Sequence, residues 1–286
     1  MKDPVDPTQS TSPEFSRGAF VGISAAAGAA AATGAAMAET LGRPHPPLVA
    51  PDDPSIVARS ISLKRPDTTI DAYAAWPANA HAATPALVVV MHIWGVDTSI
   101  RDVVRRYAKA GFVAIAPDLY SRFKAPSGDG VSDIAVFRPY YQQLDRQQYD
   151  GDIRAAAEWA KERSPKAKTG VTGFCMGGHI VLQQAIDNGK FFTTAAPFYG
   201  AVDGIEPDFV DVPICGSYGE RDTSIPAADV RAFQAALHVP NDIRIYPTAG
   251  HAFFDDQRAS YVAVAAHDAW KRTLAFLTKY VGTPTP

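Results

Sequence analysis

Residues 169–188 read TGVTGFCMGGHIVLQQAIDN, and the fold follows from how this stretch is divided. Residues 169–174 are a short run bounded by glycine and carrying Val171, Thr172 and Phe174, as a buried strand requires. Residues 176–188 have helix length, with Ile180, Val181, Leu182, Ala185 and Ile186 as their apolar positions. No loop separates the two. Gly173-Phe174-Cys175-Met176-Gly177 must therefore turn a strand directly into a helix. The flanking glycines allow neighbouring backbone to approach without a Cβ clash, and Cys175 is lifted above the sheet at a helix N-terminus.

The same alternation continues on both sides. Residues 60–63 and 69–76, separated by Pro66-Asp67, read as a hairpin. The unbroken apolar run 86–91 (ALVVVM) is a central strand buried on both faces. Residues 99–110 place Val103, Val104 and Tyr107 among Arg101, Arg105 and Arg106, an amphipathic helix. Strands are expected at 112–116, 193–199, 212–218 and 243–246, and helices at 152–162, 227–237 and 261–280. Residues 121–148 show no clear period and read as a long excursion over the sheet. The alternation predicts an α/β fold with a mostly parallel central sheet flanked by helices on both faces. In such a sheet ligands meet the loops at the carboxyl ends of the strands.

Composition narrows the function. The chain has 286 residues, 47% of them hydrophobic and 20% charged, which excludes a disordered or collagen-like protein. Its 27 Lys and Arg against 30 Asp and Glu give a net charge of −3, so there is no basic surplus to neutralise phosphates, and no nucleic-acid partner is expected. Two cysteines exclude a disulfide scaffold or a cysteine-rich zinc module. Residues 57–286 are read as one domain. Residues 1–38 differ from it: a mild, charge-free Ala/Gly stretch from Val21 to Ala36 ends in Ala36-Met37-Ala38, the small-x-small pattern of a signal-peptidase site. The segment resembles a twin-arginine export signal, with Gly18 standing where the second arginine would be. It is too short and glycine-rich for stable membrane insertion. The expected location is periplasmic or otherwise exported, and cytoplasmic if the segment is not a signal. Residues 39–56, with five prolines, read as a spacer.

Gly-x-Cys-x-Gly between strand and helix has the form of a nucleophile elbow with cysteine in place of serine. At a helix N-terminus the macrodipole favours thiolate over thiol. The alternative role is a buried cysteine packing like a small hydrophobe. That role suits Cys215, which lies within the apolar run 212–215. A thiol nucleophile needs a histidine base, itself oriented by a carboxylate. Of seven histidines, His251 sits in a loop directly after the expected last strand, in the segment 248–253 (TAGHAF). Asp222, after the strand ending at Tyr218 and before the helix that follows Pro226, is the candidate acid; its alternative role is a helix cap or turn aspartate.

With these residues placed, the chain resembles the dienelactone hydrolase family. The resemblance rests on ordered blocks: 88–95 (VVVMHIWG), 100–103 (IRDV), 111–120 (GFVAIAPDLY), the Cys175 elbow ending in Gly177-Gly178, 198–200 (FYG) and Gly250-His251. It implies an α/β-hydrolase fold and a monomeric, cofactor-free enzyme that opens lactones or cleaves esters through a thioester. It also implies an oxyanion hole from the backbone N–H groups of Ile93 and Met176. Two positions depart from the family. His92 stands where a glutamate contacts the cysteine, and either touches the thiol or braces its loop. Asp255 stands where an arginine binds a substrate carboxylate, and is expected to repel one; Arg138 is a candidate replacement. Trp94 and Phe253 are expected to wall the pocket. No metal-binding spacing is evident. The rival reading is a ligand-binding protein on a hydrolase scaffold with little or no turnover.

Overall fold

The computed structural model describes residues 42–187 and 191–284; the stretch read as an export signal lies outside them. Eight strands form one sheet in the order β1-β2-β4-β3-β5-β6-β7-β8. The expected hairpin is β1 (Ile56–Lys64) and β2 (Thr69–Pro77), antiparallel with Ile56 opposite Pro77 and Lys64 opposite Thr69. β2 pairs antiparallel with β4 (Val113–Pro117). From there the sheet is parallel: β3 (Ala86–Val90) between β4 and β5 (Thr169–Phe174), then β6 (Ala195–Phe198), β7 (Ser217–Gly219) and β8 (Arg244–Tyr246). All five residues of β3 are completely buried, which requires both faces of the sheet to be covered.

Helix α1 (Thr98–Lys109) buries Ile100, Val103, Val104, Tyr107 and Ala108, the stripe its sequence spacing predicts. Asp97 caps it by accepting from the Ile100 N–H at 3.1 Å. The elbow helix is α4 (Met176–Asp187), and α5 (Ala227–Ala236) and α6 (Ala263–Val281) follow near their expected bounds. Among the described residues no helix is long and apolar enough to cross a membrane.

Three segments differ from expectation. Residues 121–148 contain two 3₁₀ turns and the short helix α2 (Arg138–Tyr141), and α3 (Arg146–Arg163) begins six residues before the expected start at 152. The inward face of α3 includes a buried aspartate, Asp152, which breaks the apolar spacing; it is held by Arg65 at 2.9 Å and Arg122 at 2.7 Å. The run 212–218 is mostly irregular, because Pro213 has no N–H to donate; Ile214 makes only isolated bridges before β7 begins at Ser217. The proline-rich stretch read as a spacer is docked from about residue 45. The buried carboxylate of Asp102 accepts from the N–H groups of Leu48 (3.1 Å) and Val49 (2.9 Å), and Arg105 Nε donates to the Val49 carbonyl at 2.6 Å. The prolines stiffen this strap, and α1 holds it down.

Candidate active site

The loops after β3, β5, β7 and β8 all leave the carboxyl ends of parallel strands, so the topology gathers residues 91–97, Cys175, Asp222 and His251 on one edge of the sheet. Cys175 occupies the left-handed region at φ +56°, which costs a non-glycine residue about 1–3 kcal/mol. Its N–H donates to the Phe198 carbonyl at 3.1 Å, while its own carbonyl accepts from Gly178 (2.9 Å) and His179 (3.2 Å), the first bonds of α4. The glycines are required by contact: a Cβ on Gly173 would lie 2.5 Å from the Gly177 carbonyl oxygen, and one on Gly177 would lie 2.5 Å from that of Val90. The bend is therefore locked between β3 and β5.

The three residues separated by up to 76 positions meet. His251 Nε2 is 3.1 Å from Cys175 Sγ, and His251 Nδ1 is 2.7 Å from Asp222 Oδ2. Asp222 Oδ1 accepts from the N–H groups of Ser224 (2.8 Å) and Ile225 (3.1 Å), which fixes the carboxylate and leaves Oδ2 for the imidazole. Asp222 is thus a turn aspartate rather than a helix cap, since the helix that follows has Pro226 at its N-cap, and its turn bonds and its contact with His251 use different oxygens. Burial pushes the Cys175 thiol up, but the hydrogen bond and charge of His251 and the Met176 N–H outweigh it, so the thiol is lowered. Burial pushes His251 down, and its hydrogen bonds to Asp222 and Cys175 reverse this, raising it to about 10. Proton transfer from sulfur to imidazole is the direction both shifts favour. Tyr199, itself at φ +37°, packs its ring 5.2 Å from the imidazole. Nothing in the sequence pattern singled it out beyond its place in the block 198–200.

Ile93 and Met176 both line the cleft beside the thiol. The Tyr120 hydroxyl donates to the Ile93 carbonyl at 3.1 Å and lies 3.7 Å from Met176 Sδ, tying the two loops together. His92 braces its loop. It is buried with Nε2 2.9 Å from Asp97 Oδ1, an ion-pair contact without hydrogen-bond alignment, and Nδ1 3.7 Å from Asp255 Oδ2. Burial lowers its affinity for a proton, yet Asp97 and Asp255 more than offset this and raise it. Arg258 completes the group, with Nε 3.0 Å from Asp255 and a terminal nitrogen 3.3 Å from Asp97. His92, Arg258 and two carboxylates thus join the loop carrying Ile93 to the one carrying His251.

This network corrects three expectations. Asp255 does not face substrate: it is buried, accepting from Ser99 Oγ at 2.9 Å as well as from Arg258. Phe253 is not a pocket wall; it is completely buried behind the His251 loop against Tyr199 and Tyr246, because Ala252 at φ +57° turns the backbone just after the histidine. Arg138 is exposed on α2 and does not line the cleft. Trp94 does line it, with the Arg258 guanidinium stacked 3.5 Å from its ring on the other side.

The cleft has a volume of about 670 Å³, the size of a small-molecule site. Ile134, Tyr141 and Leu144 from the 121–148 excursion, and Tyr149, His179 and Gln183 from α3 and α4, form its far wall. A separate cavity of about 340 Å³ beneath the docked strap is lined by Leu48, Tyr261 and Trp270, among others, and neither cysteine lines it. Among the described residues, no group of three or more His, Cys, Asp or Glu side chains is arranged to hold a metal ion. Cys215 is free and buried beside Thr273, and burial raises its thiol to about 11.

The chain matches the sequence model of the dienelactone hydrolase family over residues 70–281. It is 35% identical over 248 residues to an Escherichia coli K12 protein named "Putative carboxymethylenebutenolidase", covering 81% of this chain and 90% of that one. A protein of the same name from Methylorubrum extorquens is 34% identical over 252 residues, covering 81% and 84%. Among solved structures, a Klebsiella pneumoniae protein described as a "Putative Dienelactone Hydrolase" superposes with a TM-score of 0.73 at 33% identity, covering 79% of this chain and 99% of that one. A dienelactone hydrolase from Anabaena variabilis, at 15% identity and TM-score 0.62, shares the fold. The elbow, the parallel sheet and these matches converge: the chain belongs to the dienelactone hydrolase family, hydrolases of the α/β-hydrolase fold that act on esters and lactones.

Proposed function

We propose that the protein hydrolyses a carboxylic ester or lactone through a Cys175–His251–Asp222 triad and a thioester intermediate. The observation that carries this reading is the continuous chain of contacts from Asp222 Oδ2 through both imidazole nitrogens to a sulfur held at φ +56°. The Cys175 thiolate attacks the carbonyl carbon, forming a C–S bond. The negative charge that develops on the carbonyl oxygen is stabilised by the N–H groups of Ile93 and Met176. Collapse of this adduct breaks the C–O bond, and the departing alkoxide or enolate takes its proton from the His251 imidazolium. The neutral imidazole then removes a proton from water, which attacks the thioester. Collapse returns the thiolate, the protonated His251 and a carboxylic acid. Asp222 holds the ring in the tautomer that points Nε2 at sulfur throughout.

Cys175→Ala tests the assignment. Hydrolysis of activated esters should vanish while the melting transition stays close to that of the wild type, and intact mass after rapid quench should show an acyl adduct on the wild type alone. Retained turnover refutes it. Residues 1–38 are read, within the same proposal, as an export signal; recovery of a mature chain beginning near Glu39 supports this, and an unprocessed chain in the exported fraction opposes it.

A further inference from the structure

Among the described residues, the lining of the cleft above Cys175 offers a carboxylate no guanidinium or ammonium group. None of the described residues lining it is Lys or Arg, while Asp203 stands on the rim it shares with a neighbouring cavity of about 390 Å³. The guanidinium behind Trp94 is already engaged: Arg258 donates to Asp255, Asp97 and the Val131 carbonyl. It faces two carboxylates, so that group offers the cleft no net positive charge.

The far wall offers no substitute. The Tyr149 hydroxyl donates to Gln183 Oε1 at 2.7 Å, Gln183 Nε2 lies 3.0 Å from His179 Nε2, and His179 Nδ1 lies 2.8 Å from the Ala201 carbonyl. With Nδ1 bonded to the carbonyl and Nε2 to the amide, both ring nitrogens of His179 are already engaged. What these side chains present to a ligand is mainly ring and methylene surface, continuous with Ile134, Tyr141 and Leu144. The triad adds to the imbalance. Wherever the shared proton sits between Cys175 and His251, thiol, imidazole and the Asp222 carboxylate together carry one net negative charge.

Resting on the triad assignment above, we propose that the cleft accepts uncharged esters with an apolar or aromatic substituent and discriminates against substrates bearing a carboxylate, with Asp203 setting part of that discrimination. A carboxylate placed there loses its hydration, finds no guanidinium or ammonium partner, and faces two fixed negative charges.

Two 4-nitrophenyl esters of matched length test this with the full chain: the pentanoate, and the mono-ester of glutaric acid, in which a carboxylate replaces the terminal methyl. At low ionic strength the wild-type kcat/KM should favour the pentanoate by about tenfold or more, and the ratio should narrow as salt is added. Asp203→Lys should move the ratio toward the glutarate by about threefold or more. A wild-type ratio near one, or inverted, overturns the selectivity, and a ratio unmoved by Asp203→Lys overturns the role of that residue. Equal hydrolysis of both esters with Cys175→Ala inactive would leave the nucleophile standing and remove only the selectivity. Turnover surviving in Cys175→Ala, or turnover of neither ester by the wild type, would remove the triad assignment itself.

Discussion

The two cysteines are the same chemical group in opposite surroundings. Cys175 sits where β5 becomes α4, held in a left-handed conformation by two glycines that cannot carry side chains, with an imidazole 3.1 Å away. Cys215 lies on the irregular approach to β7, completely buried, its nearest polar neighbour the Thr273 hydroxyl at 4.0 Å. The first thiol is lowered by its partners despite burial, and the second is raised to about 11 because burial outweighs the lowering by Arg272 and Thr273. Burial alone therefore does not decide the ionisation of a thiol. The presence of a charge that only the folded chain can supply decides it.

Substitutions can break this contrast at several points, the largest effect first. Cys175→Ala should lower kcat/KM for activated esters by about 10³-fold or more, since the covalent intermediate forms on its sulfur. Asp222→Asn should lower kcat by about 10²–10⁴-fold with little change in the fold, because an amide cannot stabilise the imidazolium and can hold the wrong tautomer. In that variant the alkylation of Cys175 at pH 6 should also slow, which a purely structural role for Asp222 would not produce. His92→Gln leaves Asp97 and Asp255 sharing Arg258 alone in a buried network. A loss of about 3 kcal/mol in unfolding free energy is expected by urea titration, with a smaller fall in kcat as the Ile93 loop loosens. Cys215→Ala should be the mildest: about 1 kcal/mol of stability and unchanged turnover. If it impaired turnover as severely as Cys175→Ala, the contrast drawn between the two sulfurs would be wrong.

The parts of this molecule that could be read in its sequence are those fixed by local covalent rules. A strand, a Gly-x-Cys-x-Gly turn and a helix follow one another without a gap, so Cys175 could be placed at a bend from residue types alone. His251 and Asp222 were legible because each follows a short strand at the position a parallel sheet presents to its carboxyl edge. The walls of the cleft were not legible. Ile134, Tyr141 and Leu144 belong to a segment whose 3₁₀ turns and four-residue helix have no sustained period. Tyr149 lies in the first turns of α3, hidden because Asp152 occupies an inward position that periodicity assigns to an apolar side chain. Asp255 and Phe253 were misplaced for a related reason. Spacing from His251 gives their distance along the chain but not their direction, and Ala252 at φ +57° turns the backbone immediately after the histidine. The strap at 45–49 was missed because what docks it is a carboxylate on α1 accepting two backbone N–H groups, an interaction with no signature in the strap's own composition.

The account rests on Cys175 being ionised by His251 at a pH where an ordinary thiol, with a pKa near 8.5, is protonated. Because its folded value is lowered, its thiolate should persist as pH falls below that range, while its imidazolium partner, raised to about 10, keeps its proton through neutrality. The direct measurement is the rate of iodoacetamide alkylation of each cysteine from pH 5 to pH 9, with sites identified by peptide mass. The predicted result is rapid modification of Cys175 already at pH 6, slowed in His251→Ala, with Cys215 unreactive until the chain unfolds. A Cys175 rate that rises only near pH 8.5 and is indifferent to His251→Ala would contradict it.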